Sequence, residues 1–539
     1  MKYILSLLLA LCCSSLLVAQ PRNEQTTILW GRPYEESRRS TLADVIGHDA
    51  SGIYTLSFKA GMFYGLNSRF TLEHYDINMD QARTVEIDLE HNNAKRSLER
   101  IVHYNNRLFM FTSQADQKSK VNSLYIQPIN KTSLLPEGEP RQVARIDYSG
   151  HSKNNSGSFG FEASRDSTKF LIFYNLPHDS REQERFGFHV LDWEMNPLWE
   201  QQIELPYKED LFEVERYKVD DQGNIYLLGR IFNQKRKLRR RGEPNYKYQI
   251  LAYRNEGTLL TEYPVEMPGR FLTDMQLAIL PNQNLVCAGF YSNEGTTSIK
   301  GSYYLTLDSK SKQVTRQSVK EFGADFLTET LSDSKARKTK SRIEKGKNIE
   351  LYQFDLDNLI LREDGGAILV GEQYFVRRVT YTNGRTTTTR TLYYYNNIIV
   401  VNIDPRGDIA WAHQIRKSQR TVDDGGFYSS YTMAVVADKL YFIFNDHPRN
   451  LAPKKNKFYS MNTASKEALV VLVEVDSQGQ QTKTPLFMSA DAEVIIRPKV
   501  CEQIAHNQLV VFGQRKRNHR FAKITFTAAD RPLEEVSTK

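Results

Sequence analysis

The chain has 539 residues, 72 lysines and arginines against 64 aspartates and glutamates, and a formal charge of +8. Mixed charge together with 29 tyrosines and 27 phenylalanines excludes a disordered chain and predicts a folded one with a large core. Past residue 20 no apolar run reaches the roughly 18 residues that a helix needs to span a bilayer.

Residues 1–20 read as a secretory signal peptide. Lys2 supplies the positive start, Ile4 to Val18 the apolar stretch, and Leu17-Val18-Ala19 a peptidase site before Gln20 or Pro21. Neither Cys12 nor Cys13 stands behind the small residue that a lipidation signal uses. Export to the periplasm, outer surface or extracellular space is therefore expected. The leader's closing Val18-Ala19-Gln20 resembles those of Bacteroidota envelope proteins. Losing the single Lys of the leader takes the charge from +8 to +7 and leaves two cysteines, Cys287 and Cys501. Each lies in an apolar strand far from the other along the chain, and both are expected as free buried thiols.

From there on one hairpin recurs. Its clearest copy is Val219-Asp220-Asp221-Gln222-Gly223-Asn224-Ile225-Tyr226-Leu227, a polar turn restarting as a β-rich strand. In chain order the turns are marked by Gly52, Asn105, Ser167, Gly223, Asn282, Gly365, Ala437 and His506, at spacings between 53 and 83 residues. Third and fourth strands follow most hairpins, for instance Phe188 to Trp193 and then Leu198 to Leu205. Nothing helical is expected between them. Four short antiparallel strands repeated at this period predict an all-β fold, a β-propeller. Eight units predict eight blades, with seven as the second choice. The mature chain, 21–539, is then one propeller domain with a basic insertion at 321–350. Either Thr27 to Gly31 or the tail Pro532 to Val536 has to supply the outer strand of the last blade, and the N-terminal stretch is preferred.

The Asp-x-x-Gly hairpin followed by Ile-Tyr, at Asp220 to Tyr226 and Asp49 to Tyr54, resembles the repeats of secreted bacterial propellers. The resemblance implies the architecture of most of the mature chain and no activity.

Turns between first and second strands are short and often acidic: Asp49, Asp166, Asp220, Asp221, Asp364, Asp438. The connections between second and third strands emerge on the opposite face and are mostly basic. They include Arg239 and Arg240 within the run 235–241, Arg377 and Arg378, and Arg517 beside Arg515 and Lys516. Charges of one sign on one face add into a single field. Asn383-Gly384 reads as a two-residue turn, which pairs Thr382 with Arg385 and sets Arg377 opposite Arg390. Tyr381 lies on the face of that arginine pair and Arg378 on the other. Such a hairpin suits a carboxylate or phosphate.

No metal-ligand spacing, Cys-x-x-Cys, nucleophile elbow or nucleotide-binding loop is present, so no cofactor or metal is expected. The reading that follows is a non-catalytic envelope propeller binding an acidic partner, a glycan or a protein surface. Its contacts are Arg377, Arg378, Tyr381, Arg385 and Arg390, with Arg239, Arg240 and Arg517 peripheral. The alternative is a polysaccharide-active enzyme, a hydrolase or lyase, with its site in the central pocket. Carboxylates contributed by different blades leave no linear signature. Nucleic acid is not expected as a partner, given export and the lack of a recognition motif.

Overall fold

The computed structural model describes residues 26–36, 40–60, 68–151, 155–177, 183–234, 239–240, 243–384, 386–452, 457–461 and 468–527. The expected signal peptide at 1–20, residues 235–238 and 241 of the basic run, Arg385 and the tail 532–536 lie outside the described residues.

The recurring turn has a local cause. Asp220 Oδ1 accepts the backbone N–H groups of Gln222 (2.9 Å) and Asn224 (2.8 Å), while Oδ2 accepts the Tyr226 hydroxyl at 3.1 Å. Gly223 takes φ +83°, where a side chain would be strained. Asp49 repeats the device, accepting the Ser51 N–H (2.7 Å) and the Tyr54 hydroxyl (3.0 Å). Aspartate, glycine and tyrosine are thus one hydrogen-bonded unit that reverses the chain.

Among the described residues, eight sheets have four or more antiparallel strands. Sheets one to seven span 40–86, 97–147, 158–208, 212–265, 271–321, 354–415 and 432–488. In each, successive main strands lie side by side in chain order. The eighth combines Glu502–Ala505, Gln508–Arg515 and Asn518–Phe526 with the N-terminal Thr26–Trp30. Second strands are buried on both faces, as in Leu285–Ser292, and read as continuous apolar runs. Fourth strands such as Val314–Glu321 are largely exposed. At five of the eight junctions the first strands of neighbouring sheets touch one another, which places them around a common axis.

Each of eight apolar clusters lies between two consecutive sheets. The cluster of Leu42, Val45, Ile53, Val510, Phe512 and Phe521 joins the last sheet to the first. A ring of four-stranded sheets packed face to face around an axis is a β-propeller. Its closure is made by the N-terminal strand, with Thr26 opposite Phe526 and Trp30 opposite Ala522. Arg520 donates to the Gly31 carbonyl at 2.9 and 3.1 Å and lies 4.6 Å from the Trp30 ring centroid. Cys287 and Cys501 are both buried and free. Burial pushes the Cys287 thiol up to about 12.

One expectation is corrected. The link between sheets five and six carries two helices, α1 (Ala324–Thr328) and α2 (Asp333–Glu344). The sequence of α2 is rich in good helix formers and has Asp333 in its first turn, but has no apolar stripe to betray it. The pair is held on the outer strand of sheet six: Gln414 Nε2 donates to the Phe326 carbonyl (2.7 Å), and Glu329 accepts the Gln414 N–H (2.8 Å).

Trp30 stands edge-on to Phe487 of sheet seven at 4.9 Å, half-buried on the cluster between sheets seven and eight. Trp30→Ala is expected to cost about 2 kcal/mol, less than the ~3–5 kcal/mol of a fully buried Trp. The measurement is the urea unfolding midpoint.

Candidate functional site

The connection between the second and third strands of sheet six stands out by length. Ala367–Asn383 and Thr386–Ile403 run 17 and 18 residues, against eight for most second strands. Past Tyr374 the ribbon projects from the sheet, with nearly every side chain from Val376 to Arg390 exposed. At its base, ring pairs Tyr374–Tyr395 (4.6 Å) and Phe375–Tyr394 (4.5 Å) stiffen it. Beside them Gln419–Val422 adds a third strand to Leu392–Tyr395.

The register differs from the sequence expectation. Asn383 pairs with Thr386, so the two loop residues are Gly384 and Arg385 rather than Asn383 and Gly384. Gly384, at φ +56°, takes the first loop position, where glycine belongs in a II′ turn. Arg377 therefore faces Leu392, and Arg390 faces Val379. The two arginines are diagonal neighbours about 7–8 Å apart instead of a directly opposed pair, which relieves their repulsion. Tyr381 shares their face, opposite Thr388. On the other face Arg378 stands in a threonine array, with Thr380 and Thr389 hydroxyls 3.1 Å apart.

The expected site residues divide into three groups. Arg377, Arg378 and Tyr381 are together and exposed, and neither arginine has an ion-pair partner among the described residues. Arg390 and Arg517 have other employment. Arg390 binds Asp423 at 2.8 Å and holds that carboxyl below its ordinary range. Arg517 binds Glu35 at 2.9 Å and the Glu36 carbonyl at 3.0 Å, clamping the N-terminal segment. Arg385 lies outside the described residues. Of Arg239 and Arg240 only the backbone is described, as a short strand paired with Glu243–Pro244. The described ones among them sit between second and third strands, hence on one face by topology.

Sequence reasoning named no residue of the axis. Two cavities, 410 and 400 Å³, share Glu162, Lys218 and Gln276 in their walls and so adjoin along a passage between first strands of sheets two to six, His103 and Tyr104 of sheet two lining the second. The 410 Å³ cavity lies toward the face of the long connections, since Ser158 and Asn175 at that end line it. Six first strands carry extra residues against their second strands: Ala43 and Ile46 in sheet one, then Glu99, Glu215, Thr273, Asp357 and Ile504. A bulge of this kind re-aims its side chain. Glu215 and Asp357 accordingly stand in the cavity wall.

Around Asp357 the groups are tightly linked. Tyr431 donates its hydroxyl to Asp357 Oδ2 at 2.7 Å. Nearby, Glu372 accepts Lys417 Nζ (2.5 Å) and the Ser430 hydroxyl (2.7 Å). Asp357 is open to the water of the passage but hemmed in by protein. That burial, with the charges of Glu372 and Asp355, raises its pKa to about 7 against the pull of Tyr431 and Lys417. Burial likewise raises Asp274, Asp355 and Glu215. It pulls Lys417 down, while Glu372 holds it up. Lys417 also reaches Gln419, whose amide donates to the carbonyls of Ser430 (3.3 Å) and Asn445 (2.8 Å), tying sheet six to sheet seven. This arrangement can hold and release a proton near neutral pH beside an open cavity.

No family model matches the chain, and no curated protein matches it. It is similar to a solved protein of unknown function from Bacteroides caccae, at 11% identity over 70% of this chain and 94% of that one, with a TM-score of 0.27. It is also similar to the β-propeller domain of the Trilobed protease from Pyrococcus furiosus, at 9% identity over 83% and 96% with a TM-score of 0.36. A third is cobalt-substituted Synechocystis ACO, at 10% identity over 96% and 98% with a TM-score of 0.32. The propeller assignment stands on this chain's own strand order and packing.

The Lys417–Glu372 pair makes a stability test. Lys417→Met strands the Glu372 carboxylate inside the protein and is expected to cost about 3–5 kcal/mol, whereas Lys417→Met with Glu372→Leu recovers most of that loss. Denaturant titration of the three proteins separates these outcomes.

Proposed function

We propose that this chain is an exported, non-catalytic envelope propeller that binds an acidic partner, a glycan or a protein surface, through the face of its long connections. Arg377, Arg378 and Tyr381 lead the contact. One observation carries the reading: a ribbon projecting from sheet six presents two arginines without internal ion-pair partners and a tyrosine that is 57% exposed. These side chains add nothing to the core, so their worth lies in what they meet outside. A guanidinium beside an aromatic ring suits carboxylates on a hydroxylated chain. Arg390 and Arg517 stand behind the leading contacts because each already pairs with a surface carboxylate of this chain.

Arg377→Glu with Arg378→Glu is expected to weaken retention on an immobilised acidic polysaccharide, or recovery of the envelope partner, by about tenfold or more. Molar salt is expected to weaken the wild type. Unchanged capture by the double variant at low salt defeats the proposal.

The second reading, a polysaccharide-active enzyme, has its own support in the Asp357–Tyr431 pair beside the 410 Å³ cavity. A turnover screen on acidic and neutral polysaccharides decides it. Product release that disappears in Asp357→Asn favours the enzyme, and its absence leaves the binding reading.

A further inference from the structure

Five charged side chains stand in the wall of the 410 Å³ cavity: Glu162, Glu215, Arg216, Lys218 and Asp357. Glu162 and Lys218 form an ion pair. Glu215 is bound by Arg230, which lies 2.5 Å away. Two remain. Arg216 has no hydrogen-bond or ion-pair partner among the described residues, although it is half-buried beside the passage. Asp357 is turned into the same wall by its bulge, and its one side-chain partner, Tyr431, leaves one carboxyl oxygen open. The Arg216 charge reaches the Asp274 carboxyl without a hydrogen bond to it, so the five donors of a half-buried guanidinium are left for a ligand. The remaining wall offers Ser158, Asn175 and Gln276, small polar groups that suit hydroxyls. The volume falls in the range of small-molecule sites.

We propose that this cavity binds a small hydroxylated ligand bearing one oxyanion group, with Arg216 receiving the oxyanion and Asp357, in its acid form, donating a hydrogen bond to it. The site goes beyond the ribbon reading. It lies on the first strands of other sheets and does not use Arg377, Arg378 or Tyr381. A neutral Asp357 is consistent with its surroundings: Glu372 and Asp355 disfavour its charge, and Tyr431 and Lys417 are the groups that oppose them, with Lys499 farther off. Binding then takes up a proton whenever the free protein has Asp357 ionised. The sign follows. Affinity is full below about pH 7 and falls by up to about tenfold per pH unit above it, because the ionised carboxylate repels the ligand.

The probes are D-glucuronate, D-glucose 6-phosphate and D-glucose, titrated calorimetrically into the full chain at about pH 6 and about pH 8.5, either side of the Asp357 midpoint. At least one oxyanion sugar is expected to bind tenfold or more tightly than glucose. Which one binds tells carboxylate from phosphate. Arg216→Gln is expected to lose about tenfold or more, and Arg216→Lys, which keeps the charge without the fork, to fall between. Asp357→Asn is expected to flatten the pH dependence. For the phosphate sugar, whose own second pKa is near 6, the comparison is between Asp357→Asn and wild type at each pH. Because Arg216 makes no hydrogen bond or ion pair among the described residues and acts on Asp274 only through its charge, both Arg216 variants should unfold close to the wild-type urea midpoint. The Arg377→Glu, Arg378→Glu protein should bind the sugars unchanged, which separates this site from the ribbon. The proposal is overturned if neither oxyanion sugar outbinds glucose, if Arg216→Gln binds as wild type does, or if Asp357→Asn keeps the wild-type pH slope.

Discussion

A four-stranded sheet with apolar side chains on both faces has two surfaces to bury and two edges whose backbone groups need partners. Here the surfaces are buried by neighbouring sheets, and every interface depends on the ring being complete. The pairing of Thr26–Trp30 with Asn518–Phe526 supplies that completion. It gives the last sheet its outer strand and brings residues nearly five hundred positions apart into one ladder. The apolar cluster of Leu42, Phe512 and Phe521 seals the same junction from within. Arg520 and Arg517 add polar clamps on Gly31, Glu35 and Glu36. Arginines that look in the sequence like part of a cationic surface are, at this seam, structural.

The axis has the opposite character from the interfaces. First strands have one edge with no neighbouring strand, and bulges in six of them turn side chains out of the regular alternation. Three of the seven bulged residues are acids, which the water of the passage and specific partners make tolerable. Glu215 has Arg230, Asp357 has Tyr431, and the Glu372 carboxylate behind them has Lys417. Such pairs add little net stability over apolar residues of the same volume, yet removing one partner is costly. They fix where charge sits along the axis, and so what kind of ligand can enter.

Much of the architecture was legible because the turn chemistry is local. Gly223 and Gly365 mark positive φ, and Asn105 and Ala437 adopt it too, so eight hairpins could be aligned without knowing what they packed against. The closing strand was legible because Thr27 to Gly31 is β-rich and resembles the fourth-strand stretch Leu198-Trp199-Glu200. The ribbon's register was not. Asn383-Gly384 is the stronger local turn signal, and the observed register places Gly384 first in the loop, pairs threonine with threonine across the ladder and separates Arg377 from Arg390. The helix α2 escaped because it packs only Ile343 on the core and so has no apolar period. The cavity escaped for a different reason. Glu215 and Arg216 come from sheet four and Asp357 from sheet six, and a bulge leaves no mark in the sequence.

The two candidate sites differ in how they are coupled to folding. The ribbon lies beyond the interfaces between sheets: from Val376 to Thr389 nearly all the described side chains are exposed, so changes there should move binding and leave unfolding alone. The cavity wall is continuous with the interfaces. Asp357 touches Tyr431, which packs in the cluster between sheets six and seven, and Lys417 sits behind both. A ligand that favours the protonated Asp357 therefore weakens the like-charge repulsion of Asp355 and Glu372 at the centre of the ring. Whatever binds at the axis should stiffen the junction of these two sheets, while whatever binds the ribbon should not. That difference follows from position alone: one site is an appendage of the propeller, and the other is built from the strands that hold it closed.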